Sequence, residues 1–238
     1  MSANLNLKDN GEAAFFSVKE KAWHNQGCIL DSPPTSEEAV KLAGLDYDVI
    51  KSPIVTAVSG EVLSIPTHFA TIRTDINQVL GVVGSRYQVV QNKEAFTFFD
   101  SIVGEGQAIF ETAGALGNGE RIFITAKLPE YFEVGGKKDL IEQYLFLTSS
   151  HDGSGAITCA FTPVRIVCQN TLGMAMNSKS NAFYIRHTTN ATEKLKQAHE
   201  LMGIVDITKK EMNELFNAMA KKSIVDEDRK STRLNSSH

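Results

Sequence analysis

From Thr67 onward the chain alternates between the two-residue rhythm of strands and the three-to-four-residue rhythm of helices. HFATIR, the polar TDIN and QVLGVVG read as two strands joined by a turn. Gly84-Ser85 interrupts the run and RYQVV continues it. Asn92 then opens a helix whose Phe96, Phe99 and Val103 share one face, with Gly104 and Gly106 to end it. Ile122, Ile124, Ala126 and Leu128 alternate with Arg121, Phe123, Thr125 and Lys127, which predicts a half-buried strand. LIEQYLFLTSS and AITCAF are further strands. GGKKD (135–139) turns the chain before the first, and HDGSG (151–155) joins the two through an Asp-Gly suited to tight reversal.

Thr162-Pro163 has the form of an N-cap followed by proline at the first helical position, predicting a helix that runs to about Met176. NAFYIRH reads as one more short strand. Asn190-x-x-Glu193 and Thr208-x-x-Glu211 resemble capping boxes. Behind them Leu195, Ala198 and Met202, then Met212, Leu215, Phe216 and Met219, form apolar stripes at helical spacing. Upstream, 31–36 is a loop, and Thr35 or Ser36 caps a short helix over 37–43. Together these predict an α+β fold: a mostly antiparallel sheet, helices packed on one face and a helical C-terminal region. The expected organisation is an N-terminal segment (1–66), a central α+β domain (67–189), C-terminal helices (190–227) and a tail (228–238).

That tail, DRKSTRLNSSH, looks like the translation of a sequencing-library adapter and is set aside as non-native, so the natural chain is expected to continue past Glu227. It holds three basic residues and one acid. Without it 21 Lys+Arg stand against 27 Asp+Glu, and the net charge moves from −4 to −6. Hydrophobic content of 42% with 22% charged residues is that of a globular chain, and no apolar run approaches bilayer length. The N-terminus lacks the basic and apolar regions of a secretory signal. Cys28, Cys159 and Cys168 are odd in number with no CxxC spacing, which favours reduced thiols and a cytoplasmic location away from membranes. The acidic balance argues against a surface that coats nucleic acid throughout and leaves only a local groove for it.

The stretch HDGSGAITCAFTPVRIVCQNTL (151–172) gathers the reactive residue types. A nucleophile pair of His151 with Cys168 or Cys159, oriented by Asp152, needs hydrogen-bond reach. Strand 156–162 instead carries the chain roughly 20 Å from the turn at about 3.3 Å per residue. No catalytic residue is therefore assigned. His24, His68, His151, His187 and His199 show no metal-ligand spacing, so no metal and no cofactor is proposed. Arg165, placed in the first turn of the predicted helix, calls for a partner there: a carboxylate or a phosphate. Arg73, Arg86, Arg121, Arg165 and Arg186, with Tyr87, Phe183 and Tyr184 beside them, suit single-stranded backbone contact and base stacking.

Several ordered blocks carry a family resemblance: AWHNQG with Trp23 and His24, RTDINQVLGVVGSRYQVVQNKEAFTFFD, SSHDGSGAITCAFTPVRIVCQNTL, and IRHTTNATEKLKQAHELMG. The chain resembles the phage- and plasmid-like proteins that carry domain of unknown function 932. Trp23, His24, His151, Asp152, Arg165, Cys168, Asn170 and His187 are the signature positions. Asn25-Gln26 depart from the Gly-Leu usual after Trp-His. The resemblance implies a mobile-element setting, a longer chain and no agreed catalytic residues. The expectation is a single-strand-binding or annealing protein of mobile elements, with Arg73, Arg86, Arg165 and Arg186 on phosphates and Tyr87 and Tyr184 stacking bases. The alternatives are a protein-interaction or anti-defence factor working through the C-terminal stripe, as part of an oligomer or against a host or phage protein, and a hydrolase or nuclease using His151, Asp152 and Cys168.

Overall fold

The computed structural model describes residues 3–104, 108–128, 132–133 and 140–201. In chain order the elements are β1 (Phe15–Val18), β2 (Cys28–Leu30), α1 (Ser36–Leu42), β3 (Val49–Val58), β4 (Glu61–Arg73), β5 (Gln78–Gly84), α2 (Asn92–Gly104), β6 (Ile109–Leu116), β7 (Arg121–Lys127), β8 (Phe132–Glu133), β9 (Leu140–Ile141), β10 (Tyr144–Ser150), β11 (Ile157–Thr162), α3 (Gln169–Ser178), β12 (Ser180–Ile185) and α4 (Ala191–Leu201). The fold is α+β with mostly antiparallel sheets. A seven-stranded sheet has the order β12-β11-β10-β7-β6-β1-β2 and is antiparallel except for the β1–β2 pair. A second sheet, β3-β4-β5, is fully antiparallel, and β8 pairs with β9.

The large sheet is apolar on both faces, which corrects the expectation of a half-buried β7. Ile122, Ile124, Ala126, Leu145, Leu147, Cys159 and Phe161 join one core; Phe123, Phe146 and Ala160, one residue out of step, join another. The first core takes α1, α2 and α4 through Ala39, Val40, Phe96, Phe99, Leu195 and Ala198. The second takes α3 through Leu172 and Ala175. Helices therefore pack on both faces, where one was expected, because a central strand with no polar side needs cover on each.

Local signals worked where they were self-contained. Thr35 and Glu38 form a reciprocal capping box on α1. The C-terminal helix begins as expected with α4, and Leu195 and Ala198 are buried. The expected turn at 135–139, Met202, the Thr208 capping box and the 212–219 stripe lie outside the described residues, as do 202–227 of the expected helical C-terminal region and the tail. Residues 86–90, expected to continue a strand, carry no strand pairing. The boundary placed at residue 67 falls inside β4, and β1, assigned to an N-terminal segment, is an inner strand of the large sheet.

The helix expected from Pro163 starts six residues later. Thr162 Oγ1 accepts from Val164 N, but the chain then runs extended to Cys168, the N-cap of α3. Its carbonyls are taken sideways: Ile166 O accepts from Thr112 Oγ1 (2.6 Å) and Val167 O from His24 Nε2 (2.9 Å). Gln169 N reaches back to Ala3 O. Long-range partners outcompete the helical ladder at this segment.

The small sheet is pinned to the large one by the 151–155 turn. A Cβ added at Gly81 would stand 2.5 Å from the Asp152 Cα and 2.8 Å from its carbonyl oxygen. Gly81→Ala is therefore expected to push the turn off β5 and cost about 1–3 kcal/mol, read as a lower urea midpoint at unchanged slope.

Candidate functional site

Where the ends of β5, β10 and β12 come together, a cleft of about 680 Å³ opens. Arg86 and Tyr87 line it from the segment after β5, Gly153 and Gly155 from the turn after β10, and Arg186 and His187 from the end of β12. Thr67 of β4 and Ser85 complete the rim. No carboxylate is among the described residues that line it.

Tyr87 and His187 form the floor. Their rings stack with centroids 4.7 Å apart and an interplanar angle of 17°. Tyr87 OH donates to Ser150 O at 2.9 Å, and burial pushes its phenol well above the ordinary range. His187 Nδ1 faces Gln88 O at 3.2 Å and a carbonyl only accepts, so Nδ1 carries the proton and Nε2 faces Ser149 Oγ as acceptor. Burial lowers the His187 pKa against the pull of the Gln88 carbonyl.

Beneath the floor lies His151, fully buried. Its Nε2 donates to Asn92 Oδ1 at 2.8 Å, which takes the side chain of Asn92 away from capping α2. Tyr47 meets the imidazole edge-on, and His151 Nδ1 has no hydrogen-bond partner among the described residues. Burial, then the neighbouring His187, lowers the His151 pKa to about 4 against the pull of Asp152, so the ring is neutral at neutral pH. Burial pushes the Asp152 carboxyl up, but the Ser154 and Ser150 bonds and Arg121 outweigh it and hold it below its ordinary value. Arg121 in turn donates to Ser154 Oγ at 3.0 Å.

The expected arginine set divides in two. Arg86 and Arg186 are exposed on the cleft. Tyr184 lies two residues before Arg186 on the edge strand and is 55% exposed. Arg73 is 7% exposed: it pairs with Asp75 through Nε and Nη2, donates to Asn6 and Asn118 O, and lies 3.9 Å over the Tyr47 ring. Arg165 precedes the helix and does not sit in its first turn. It pairs with Glu111 at 2.5 Å and donates to Val18 O and Glu20 O. Its partner is the carboxylate of the two possibilities.

The other signature residues serve the second face of the large sheet. His24 packs edge-on against Phe15 and Trp23, and Trp23 is 57% exposed. Cys168 and Asn170 lie at the start of α3, where Thr171 Oγ1 accepts from Cys168 N. Cys168 belongs to the second core and Cys159 to the first, where burial alone raises its thiol. The hydrogen-bond partner of His151 is Asn92, so the structure does not assemble the Cys–His arrangement.

Cleft residues that sequence reasoning passed over are Thr67, Ser85, Gly153 and Gly155. For the last three the signal was present in Gly-Ser and Asp-Gly-Ser-Gly, read there only as turns, although loops on a rigid scaffold are where binding groups concentrate.

A family model described as Domain of unknown function (DUF932) matches residues 79–235, about two thirds of the chain. The chain belongs to this family. No curated protein and no solved structure matches it. The DUF932 match takes in every cleft residue named above except Thr67. Trp23 and His24 lie outside it yet dock against residues inside it, through the His24 bond to Val167 O. No helix of the described residues is long and apolar enough to cross a membrane.

Proposed function

We propose that the chain binds single-stranded nucleic acid at this cleft, in the service of a phage or plasmid, with Arg86 and Arg186 on the phosphates and Tyr184 stacking a base. The observation that carries the reading is the convergence of Arg86 and Arg186, from distant parts of the sequence, on one concave surface without a lining carboxylate. Two arginines facing open space in an acidic protein are placed against the general field, which favours an anionic ligand. The glycines of the facing turn let a backbone approach closely. Tyr87 acts as a wall: its ring is stacked and its hydroxyl bonded. Arg73 and Arg165 drop out of the contact set because their guanidinium groups are engaged internally.

The test is fluorescence anisotropy with labelled single- and double-stranded DNA over a salt series. With two phosphate contacts, the single-strand affinity is expected to fall with a log–log salt slope of about −1.4. Arg86→Ala with Arg186→Ala is expected to weaken binding about tenfold or more and to flatten that slope. No binding at low salt, or unchanged binding by the double variant, overturns the proposal.

A further inference from the structure

We infer that the outer face of the small sheet is the surface on which a second copy of this chain stacks. The face follows from register. Ile50 pairs with Ile72 and Ile72 with Val79; Ser52 pairs with Ala70 and Ala70 with Val82. Paired residues share a face, and along β3 the same face continues through Ile54, Thr56 and Val58, opposite Ile65, Leu63 and Glu61. Beside β5 the opposite face turns to the protein body, with Val49, Thr71, Arg73 and Val83 buried, whereas on the arm both faces are open, with Val55 and Val62 of the opposite face 58% and 70% exposed. On the outer face Ile50, Val58, Leu63, Val79 and Val82 are 49%, 54%, 47%, 53% and 56% exposed. They form one apolar sheet surface that continues onto the β3–β4 arm, which extends beyond β5. The arm closes at Ser59-Gly60, where both residues have positive φ (51° and 86°), as a tight primed turn requires.

Three observations select a second copy. The first is charge: Glu61 at the tip is the one acidic residue in the rows that build this face, and His68, paired with Gly84, is the other ionisable one, in a chain of net charge −4. Two copies repel through most of their surface and meet without that penalty here. The second is area. Strands about 4.8 Å apart and about 3.3 Å per residue give several hundred Å² per copy, so two stacked faces remove on the order of 1,000 Å², enough for a specific interface. The third is that the geometry favours faces over edges. Pro53 in β3 and Pro66 in β4 interrupt the ladder groups that edge pairing uses, whereas sheet-on-sheet stacking needs only apolar side chains.

The test is sedimentation equilibrium on the full chain through the micromolar range. The wild type is expected to be a dimer. Val79→Lys/Val82→Lys and Val79→Glu/Val82→Glu are each expected to be monomeric, with wild-type circular dichroism. An equimolar mixture of the two is expected to regain the dimer, because a face that meets itself then brings opposite charges together. A wild-type chain that stays monomeric overturns the inference and leaves the face to a different partner or to residues 202–238. Dimers that survive both charge variants overturn it as well, by placing the contact elsewhere.

Discussion

Acidification from pH 6.5 to 4 is expected to remove about 3 kcal/mol of folding stability through His151 alone, since its pKa falls from 6.5 to about 4 on folding and one unit is worth about 1.4 kcal/mol. The folded state holds the ring neutral, so in this window the unfolded chain binds the extra proton. The contribution is complete above pH 6.5 and is lost as the pH falls toward 4. His187, also lowered by burial, adds to the same slope. Glu111 works against it, because burial raises its carboxyl and acid favours the folded form there. The measurement is the urea midpoint across this range for wild type and for His151→Gln, whose amide nitrogen can still donate to Asn92. The variant is expected to lose most of the slope. An equally steep slope in the variant would show that His151 is not the group that titrates.

Removing the guanidinium of Arg165 is expected to be as damaging at neutral pH. The Arg165 and Glu111 side chains are 16% and 7% exposed, and Arg165 also bonds the carbonyls of Val18 and Glu20. Arg165→Met strands a buried carboxylate and is expected to cost about 3–5 kcal/mol. Adding Glu111→Leu removes the stranded charge and is expected to recover most of that loss, since apolar replacement of both partners of a buried pair is often near neutral. Chemical denaturation of both single variants and the double variant supplies the cycle. A double variant no more stable than Arg165→Met would mean that the carbonyl bonds, and not the ion pair, hold the segment.

These residues also show where local reasoning ends. The β4–β5 hairpin, the β10–turn–β11 unit, the capped α1 and the opening of α4 were all legible in the sequence, because each is set by neighbours within a few positions. Thr162-Pro163 has the local form of a helix start, yet the helix waits for Gln169 because Thr112 and His24 claim the intervening carbonyls from far away. β3 and β6 were passed over, and with them the apolar outer face. The β3–β4 turn was marked only by Ser59-Gly60 between β-branched residues, and β6 by an alanine-rich stretch of weak strand propensity.

By itself the sequence determined the α+β class, the antiparallel pairing of β10 with β11 and the supply of arginines and aromatics from which a binding surface could be drawn. Only the tertiary structure decided which of them are available. Arg73 and Arg165 carry the same guanidinium as Arg86 and Arg186, but Asp75 and Glu111 reach the first two while a concave surface with no carboxylate among its described lining residues faces the others. That distinction depends on a partner 2 residues away in one case and 54 in the other, and for Arg165 no local pattern records it. Burial did the same for His151: a turn residue in the sequence became a neutral ring in the core once α2 and Tyr47 closed over it.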